Sequence, residues 1–462
     1  GGTSAYNPQM LLKVIIYAYT QRVFSSRRIA KEMRENVNFM WLSGMTRPDH
    51  RTLNRFRGKV MKEVIQQVFY GVVEQLVEQG YVDMESYFVD GTKIEANANR
   101  YSYVWRKSTE KNKAKLQEKV QQLLKEIDEI EAAEEEKYGE ADLEEVGEGK
   151  EINAEKLKEA ASKINERLKQ KPEDKELKRA RKKLESEYIP RMENYEEYEK
   201  IFEGRNNFSK TDPDATFMGM KEDHMLNRQL KPGYNVQIGT QHQFITGYSL
   251  HQRPGDTACF ILHLQQVKEY LGKLPKKIIA DAGYGSEENY QFIENEHLEN
   301  YVKFPLFHRE QQRSWPKQRF RVENWKYDAE KDEYICPGNQ RVGFKKEIKS
   351  TSDLGYLSTA RQYECQDCSA CSLKAECTKA KGNRTVQRNL KLNQFREQAR
   401  HNLLSDQGRK LSVQRNVEVE SVFGQLKHNW GFRRFHLRGL EKVNVEWGIL
   451  SIAHNIAKLA AA

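Results

Sequence analysis

Three short stretches carry carboxylates in settings suited to chemistry. Y-F-V-D-G-T (87–92) and I-I-A-D-A-G (278–283) each run from a short apolar strand into an aspartate, Asp90 and Asp281, and then into glycine-containing sequence that turns the chain. In open sheets, ligands bind at the carboxyl ends of strands. Two aspartates at neighbouring strand ends would offer oxygen donors to hard divalent cations. A single aspartate in such a place is more often a turn or cap residue, but here the setting recurs. The third stretch, R-N-V-E-V-E-S-V-F-G-Q-L-K (415–427), holds Glu418 and Glu420. At about 100° per residue, Val419, Val422, Phe423 and Leu426 share a core face. Glu418 falls on one flank with Gln425. Glu420 falls on the other with Asn416, Gly424 and Lys427. Gly424 leaves room beside Glu420 for a bulky ligand. Lys427 lies roughly 10 Å farther along the axis, too far for a simple salt bridge but suited to a phosphate farther along a polyanion that Glu420 reaches through a metal. The period separates the two glutamates without saying which flank faces the aspartates.

A second constellation is soft. Five of the six cysteines are Cys336, Cys365, Cys368, Cys371 and Cys377, the last four at spacings of two, two and five. Such clustering suggests metal before disulfides. Four of the five would make a structural zinc site. An iron–sulfur cluster is the rival, weakened by the last gap and the missing proline. Metal-free thiols are the plain alternative.

Elements must hold these groups. Residues 8–78 read as helices: P-Q-M-L-L-K with proline in the first turn, S-S-R-R-I-A-K behind a serine cap, and R-P-D-H-R-T-L behind Asp49. Short basic helices joined by tight turns suit either helix-turn-helix DNA binding or a plain bundle. Residues 87–89 form a strand. In 107–203, Leu116, Val120, Leu123, Ile127 and Ile130 step at helical spacing, as do Leu157, Ala161, Ile164 and Leu168, amid Lys and Glu. These predict a coiled-coil-like hairpin or three-helix arm, broken by the linker at 138–150. Its mixed charge favours a structural or dimerising role over a DNA clamp. A strand pair is expected in 233–250, a helix capped by Asp256 to about Leu271, the strand before Asp281, a helix from Ser286 and a strand at 300–305. That order predicts a mixed sheet flanked by helices. Helices return from 391.

The net charge of +10, with 31% charged residues, favours a polyanionic partner. No apolar run approaches the ~20 residues of a membrane span. No signal-peptide pattern opens the chain, and a cytoplasmic location is expected.

Together, V-D-G-T-K-I-E-A-N-A-N-R-Y (89–101), A-D-A-G-Y (280–284), V-E-S-V-F-G-Q-L-K (419–427), F-R-R-F-H-L-R-G (432–439) and F-S-K-T-D-P-D-A-T-F-M (208–218) resemble a DDE transposase of bacterial insertion sequences. The group is the one with a helical N-terminal domain and a cysteine-rich insertion. The resemblance spans nearly the whole chain. It implies an α/β, RNase H-like catalytic domain with flanking helices. The expected parts are a helical DNA-binding domain (1–80), the first catalytic strand (81–106), a charged helical arm (107–205), the catalytic domain continued (206–305), the cysteine-rich insertion (306–390), and the Glu420 helix with the C-terminal helices (391–462). The family's acidic residues map to Asp90, Asp281 and, choosing between the glutamates, Glu420. They imply a site for two Mg2+ or Mn2+ ions that cleaves double-stranded DNA at transposon ends and transfers strands into target DNA. Lys427 matches the family's lysine seven residues after the glutamate. The arginine expected four residues before it is Asn416 here, with Arg415 beside it. Lys93, Arg415, Lys427, Arg433, Arg434 and Arg438 would grip phosphates. Trp430 and Phe432 suit core packing better than base stacking. A homodimer on DNA is expected, near the bacterial nucleoid and with no membrane. The alternative is a catalytically inactive DNA-binding descendant of a transposase.

Overall fold

The computed structural model describes residues 6–138, 152–170, 172–220 and 228–461. Five helices open the chain: α1 (Pro8–Thr20), α2 (Ser26–Glu35), α3 (Val37–Leu42), α4 (His50–Arg55) and α5 (Met61–Glu78). Their starts follow from local chemistry. Asn7, Ser25 and Asp49 each accept from backbone N–H groups of the first turn, which supplies partners the helix itself cannot. Strand β1 (Ser86–Glu95) comes next.

The fold divides into two compact units, and residues 96–233 form one of them. It holds β2 (Tyr103–Trp105), α6 (Arg106–Tyr138), α7 (Ala154–Gln170), α8 (Lys175–Lys183), α9 (Ile189–Phe202), β3 (Asn207–Ser209), β4 (Thr216–Gly219) and the first residues of β5 (Leu230–Gln241). Helices α6 to α9 share one core, with Leu116, Val120 and Ile127 against Leu157, Ile164 and Met192. Leu124 is buried there, and Leu123 only half so. The stripe therefore steps by four and then three after Val120, the reverse of the expected order. Both steps keep a side chain on one helical face. Ile130 and the linker at 138–150 lie outside the residues whose side chains are described, apart from the backbone of Tyr138.

The other unit comprises residues 1–95 and 234–462. It continues β5 and adds β6 (Phe244–His251), α10 (Phe260–Leu271), β7 (Lys277–Ala280), α11 (Glu287–Asn295), β8 (Glu299–Val302) and α12 (Phe307–Glu310). A second sheet follows, of β9 (Lys326–Asp328), β10 (Glu333–Ile335), β11 (Arg341–Thr351) and β12 (Leu357–Cys365). After the short α13 (Lys374–Cys377) it is completed by β13 (Thr385–Arg388). Helices α14 (Leu390–Leu404), α15 (Asp406–Gly424) and α16 (Leu440–Leu459) end the chain.

In the main sheet the neighbours run β6, β5, β1, β7, β8. Strands β5 and β6 are antiparallel, while β1–β7 and β7–β8 are parallel. The sheet is mixed and flanked by helices, as expected. Its centre is packed closely. Tyr87 lies over Gly239 and Gly247, where an added Cβ would come within 1.8 Å and 2.2 Å of the tyrosine. The second sheet is antiparallel throughout and has its own core around Trp325, Tyr334, Val342 and Tyr363.

Two local expectations shift. Strand β1 does not stop at Asp90 but runs on to Glu95, whose backbone exchanges hydrogen bonds with Arg433 and Phe435. Asp256 does not cap a helix with its side chain. Its carboxylate accepts instead from Asn235 and Gln237.

Candidate active site

The parallel strands set the geometry. Val89 pairs with Ala280, and Ala280 with Val302. Asp90, Asp281 and Lys303 are therefore the next residues on three adjacent strands. They form a row along one edge of the sheet, Asp281 and Lys303 each lying one residue past the end of its strand. Helix α15 packs across these strands.

Asp90 is held from two directions. Its Oδ1 accepts from the Gly91 N–H at 2.8 Å, and its Oδ2 from Arg415 at 3.0 Å. Gly91 is required where it stands, because a Cβ there would come within 2.2 Å of Gln237 Nε2 and 2.7 Å of Asp256 Oδ1. Gln237 in turn accepts from the Tyr284 hydroxyl at 2.5 Å. Burial, followed by the charges of Asp90 and Asp256, pushes the Tyr284 hydroxyl well above its usual range, so it stays a donor.

The two glutamates of α15 separate as the helical period requires. Glu418 is buried. Its oxygens accept from the backbone N–H groups of His242 at 3.0 Å and Gln243 at 2.6 Å, and from Gln414 at 3.1 Å. His242 and Gln243 are the two turn residues between β5 and β6, both with positive φ. Glu418 thus secures a hairpin turn that has no glycine. Glu420 is exposed, and the space beside Gly424 is open, with nothing within 4 Å of an added Cβ.

Arg415 is buried, one turn before Glu418 and on the side of α15 that reaches Asp90. Lys303 is also buried, at 7% exposure. Burial, then Arg415, lowers its pKa, while Asp281 and Glu420 oppose the shift. Arg415, Lys303, Asp281 and Glu420 therefore share one electrostatic neighbourhood. Lys303 does not stand out as a site residue in the sequence, although K-F-P follows Y-V as Asp90 follows F-V.

The remaining basic residues divide. Lys427 is buried and donates to Thr92 Oγ1 at 2.8 Å, in a widened helical turn (Gln425–Asn429) that follows α15. Lys93 is half-buried on β1, while Arg433, Arg434 and Arg438 are exposed. Arg433 also donates to the Lys427 carbonyl and meets His428. Trp430 and Phe432 are buried in the core.

All five clustered cysteines line one small cavity, together with Gly338 and Arg384. A Cβ on Gly338 would lie 3.2 Å from the Cys371 Sγ and 3.7 Å from the Cys336 Sγ. Burial and the neighbouring thiols of Cys368 and Cys336 push the Cys365 thiol up to about 12. Arg384 donates to the Cys377 Sγ at 3.3 Å. Among the described residues, no three His, Cys, Asp or Glu side chains stand close enough to hold a metal ion, either here or at the carboxylates.

Residues 335–460 match the family described as Transposase DDE domain, and residues 1–59 match the family described as Transposase domain (DUF772). Both matched segments are thus similar to transposase families. No curated protein and no solved structure gives a significant match. The first matched segment contains Arg415, Glu420, Lys427 and the five cysteines, but neither aspartate. DNA is the substrate that the family implies. No described helix is long and apolar enough to cross a membrane.

Proposed function

We propose that this transposase cleaves DNA at transposon ends and joins them to target DNA at Asp90, Asp281 and Glu420. What carries this function is the edge row of Asp90 and Asp281, faced by a helix whose one exposed glutamate of the pair is Glu420. The strand order β6, β5, β1, β7, β8, with two antiparallel and three parallel members, supports an RNase H-like catalytic domain.

The donors suit a hard divalent cation, being carboxylate oxygens. Arg415 on Asp90 and Lys303 near Asp281 and Glu420 offset the charge of these carboxylates in the metal-free protein. Asp90, Asp281 and Glu420 would hold two Mg2+ or Mn2+ ions, which when bound supply an activated water and charge stabilisation for phosphodiester cleavage. Arg415 must release Asp90 for that carboxylate to take part. Lys427 fastens the end of the α15 region to β1 through Thr92, and so fixes the helix that carries Glu420. Exposed Arg433, Arg434 and Arg438, with Lys93 and Arg415, would bind backbone phosphates. The N-terminal helices would bind DNA, and a homodimer would hold paired ends. Residues 107–205 would form a structural or dimerising arm, and residues 306–390 an insertion. Its cysteines share a cavity of thiol donors, which favours a structural zinc ion held by four of the five. Zinc in the purified protein by elemental analysis tests that assignment, and its absence overturns it.

The central test is nicking of a supercoiled plasmid carrying the DNA that flanks this coding sequence, with and without Mg2+. Wild-type protein is expected to nick only with metal. Asp90→Asn, Asp281→Asn and Glu420→Gln are each expected to be inactive while still binding the plasmid. Binding without nicking by the wild type would instead identify a non-catalytic descendant.

A further inference from the structure

We propose that Lys303 is a further catalytic residue, whose ammonium contacts the scissile phosphate beside Asp281 and Glu420. This rests on the carboxylate site proposed above.

The Lys303 N–H donates to the Ala280 carbonyl at 3.1 Å, so the residue is locked alongside Asp281. Its own carbonyl accepts from the Tyr290 hydroxyl at 3.2 Å. Gly285 closes over the same carbonyl, where a Cβ would come within 2.5 Å. The backbone of Lys303 is therefore held from three sides, as a residue that must aim a side chain requires.

Lys303 is buried among Arg415, Asp281 and Glu420. Yet among the described residues it has no ion pair within 4.0 Å to either carboxylate. Its donors are left for another acceptor. Once Asp281 and Glu420 hold divalent cations, an anion between those cations and the ammonium relieves their mutual repulsion. A phosphodiester supplies that anion, and its non-bridging oxygens suit an ammonium's three donors. No proton leaves Lys303; its charge stabilises the negative charge that builds on those oxygens as the bond breaks.

The test uses the full chain with Lys303→Gln and Lys303→Arg, supercoiled plasmid and Mn2+. Lys303→Gln is expected to slow single-turnover nicking by about 100-fold, the scale of losing one donor to transition-state charge, with plasmid affinity little changed. Mn2+ binding without DNA, followed by electron paramagnetic resonance, is expected to tighten, because a repelling charge is gone. Lys303→Arg is expected to recover part of the rate. An unchanged nicking rate, or weaker Mn2+ binding in the glutamine variant, overturns the assignment. Lys303→Met serves in the same two measurements if the glutamine variant melts early. Asp281→Asn and Glu420→Gln run in parallel. If they lose nicking while Lys303→Gln keeps it, only the role of Lys303 fails. If they keep it, the carboxylate site itself fails.

Discussion

At the scale of single residues, Glu418 and Glu420 make opposite predictions. Glu418→Gln leaves one turn N–H without its carboxylate acceptor. The cost is about 1–3 kcal/mol, read as a lower urea midpoint. Glu420→Gln is expected to keep the wild-type midpoint and lose metal-dependent nicking, since Glu420 is exposed. A normal midpoint for Glu418→Gln would show that the turn does not need it. Helical period alone put these glutamates on different flanks. It could not reveal that the partner of Glu418 lies 176 residues away, because pairing across the fold leaves no local trace. Arg415 was legible as a basic residue near the site, but not as the partner of Asp90. Arg415→Met is expected to cost the metal-free protein about 1–3 kcal/mol, as for a partly buried charge that loses its partner. Mg2+ should then raise its melting temperature by more than in the wild type, since a freed Asp90 binds metal more readily. An equal shift in both proteins would exclude competition between Arg415 and metal.

At the scale of elements, strand and helix types were legible because apolar spacing reports them. Y-F-V, K-I-I-A and N-Y-V lie in strands β1, β7 and β8 as expected, although β8 ends at Val302 and not at 305. Register was not legible, and it is register that aligns Asp90, Asp281 and Lys303. Nor could spacing show why two glycines recur in G-Y-N-V-Q-I-G and F-I-T-G-Y. They leave room for the Tyr87 ring. Gly239→Ala is therefore expected to destabilise by about 1–3 kcal/mol, the usual cost of overpacking. Gly71→Ala, inside α5 with nothing within 4 Å of its Cβ, is expected to stabilise by roughly 0.5–1 kcal/mol, because alanine has less backbone freedom to lose. Urea unfolding of the two variants checks both signs. A neutral Gly239→Ala would mean that Tyr87 can move aside.

At the scale of the whole molecule, net charge was readable from composition, and the return of the chain after an inserted arm was expected from the order of its strands, whereas the boundary of the compact unit at residue 233 was not legible. Burial of histidines was equally hidden. Burial lowers His263 to about 3, and His251 and His454 to about 4. His263 stands between the Tyr87 hydroxyl at 2.9 Å and Ser249 Oγ at 2.8 Å, and the same Ser249 Oγ meets His251 at 2.7 Å. His454 meets the Gln243 carbonyl at 3.0 Å. Each ring is neutral when folded and takes a proton near the ordinary pKa of about 6.5 when unfolded. Between those values the unfolded chain binds more protons, so stability falls as pH drops from about 6.5 towards 4 and is flat with respect to these groups above it. Each histidine contributes about 1.4 kcal/mol per pH unit inside that window. His263→Gln removes one of the three, so its urea midpoint is expected to fall less steeply between pH 6 and 5 than that of the wild type. Parallel slopes for the two proteins would mean that His263 is already protonated in the folded state, and that the buried chain from Tyr87 to His251 is not what makes this fold sensitive to acid.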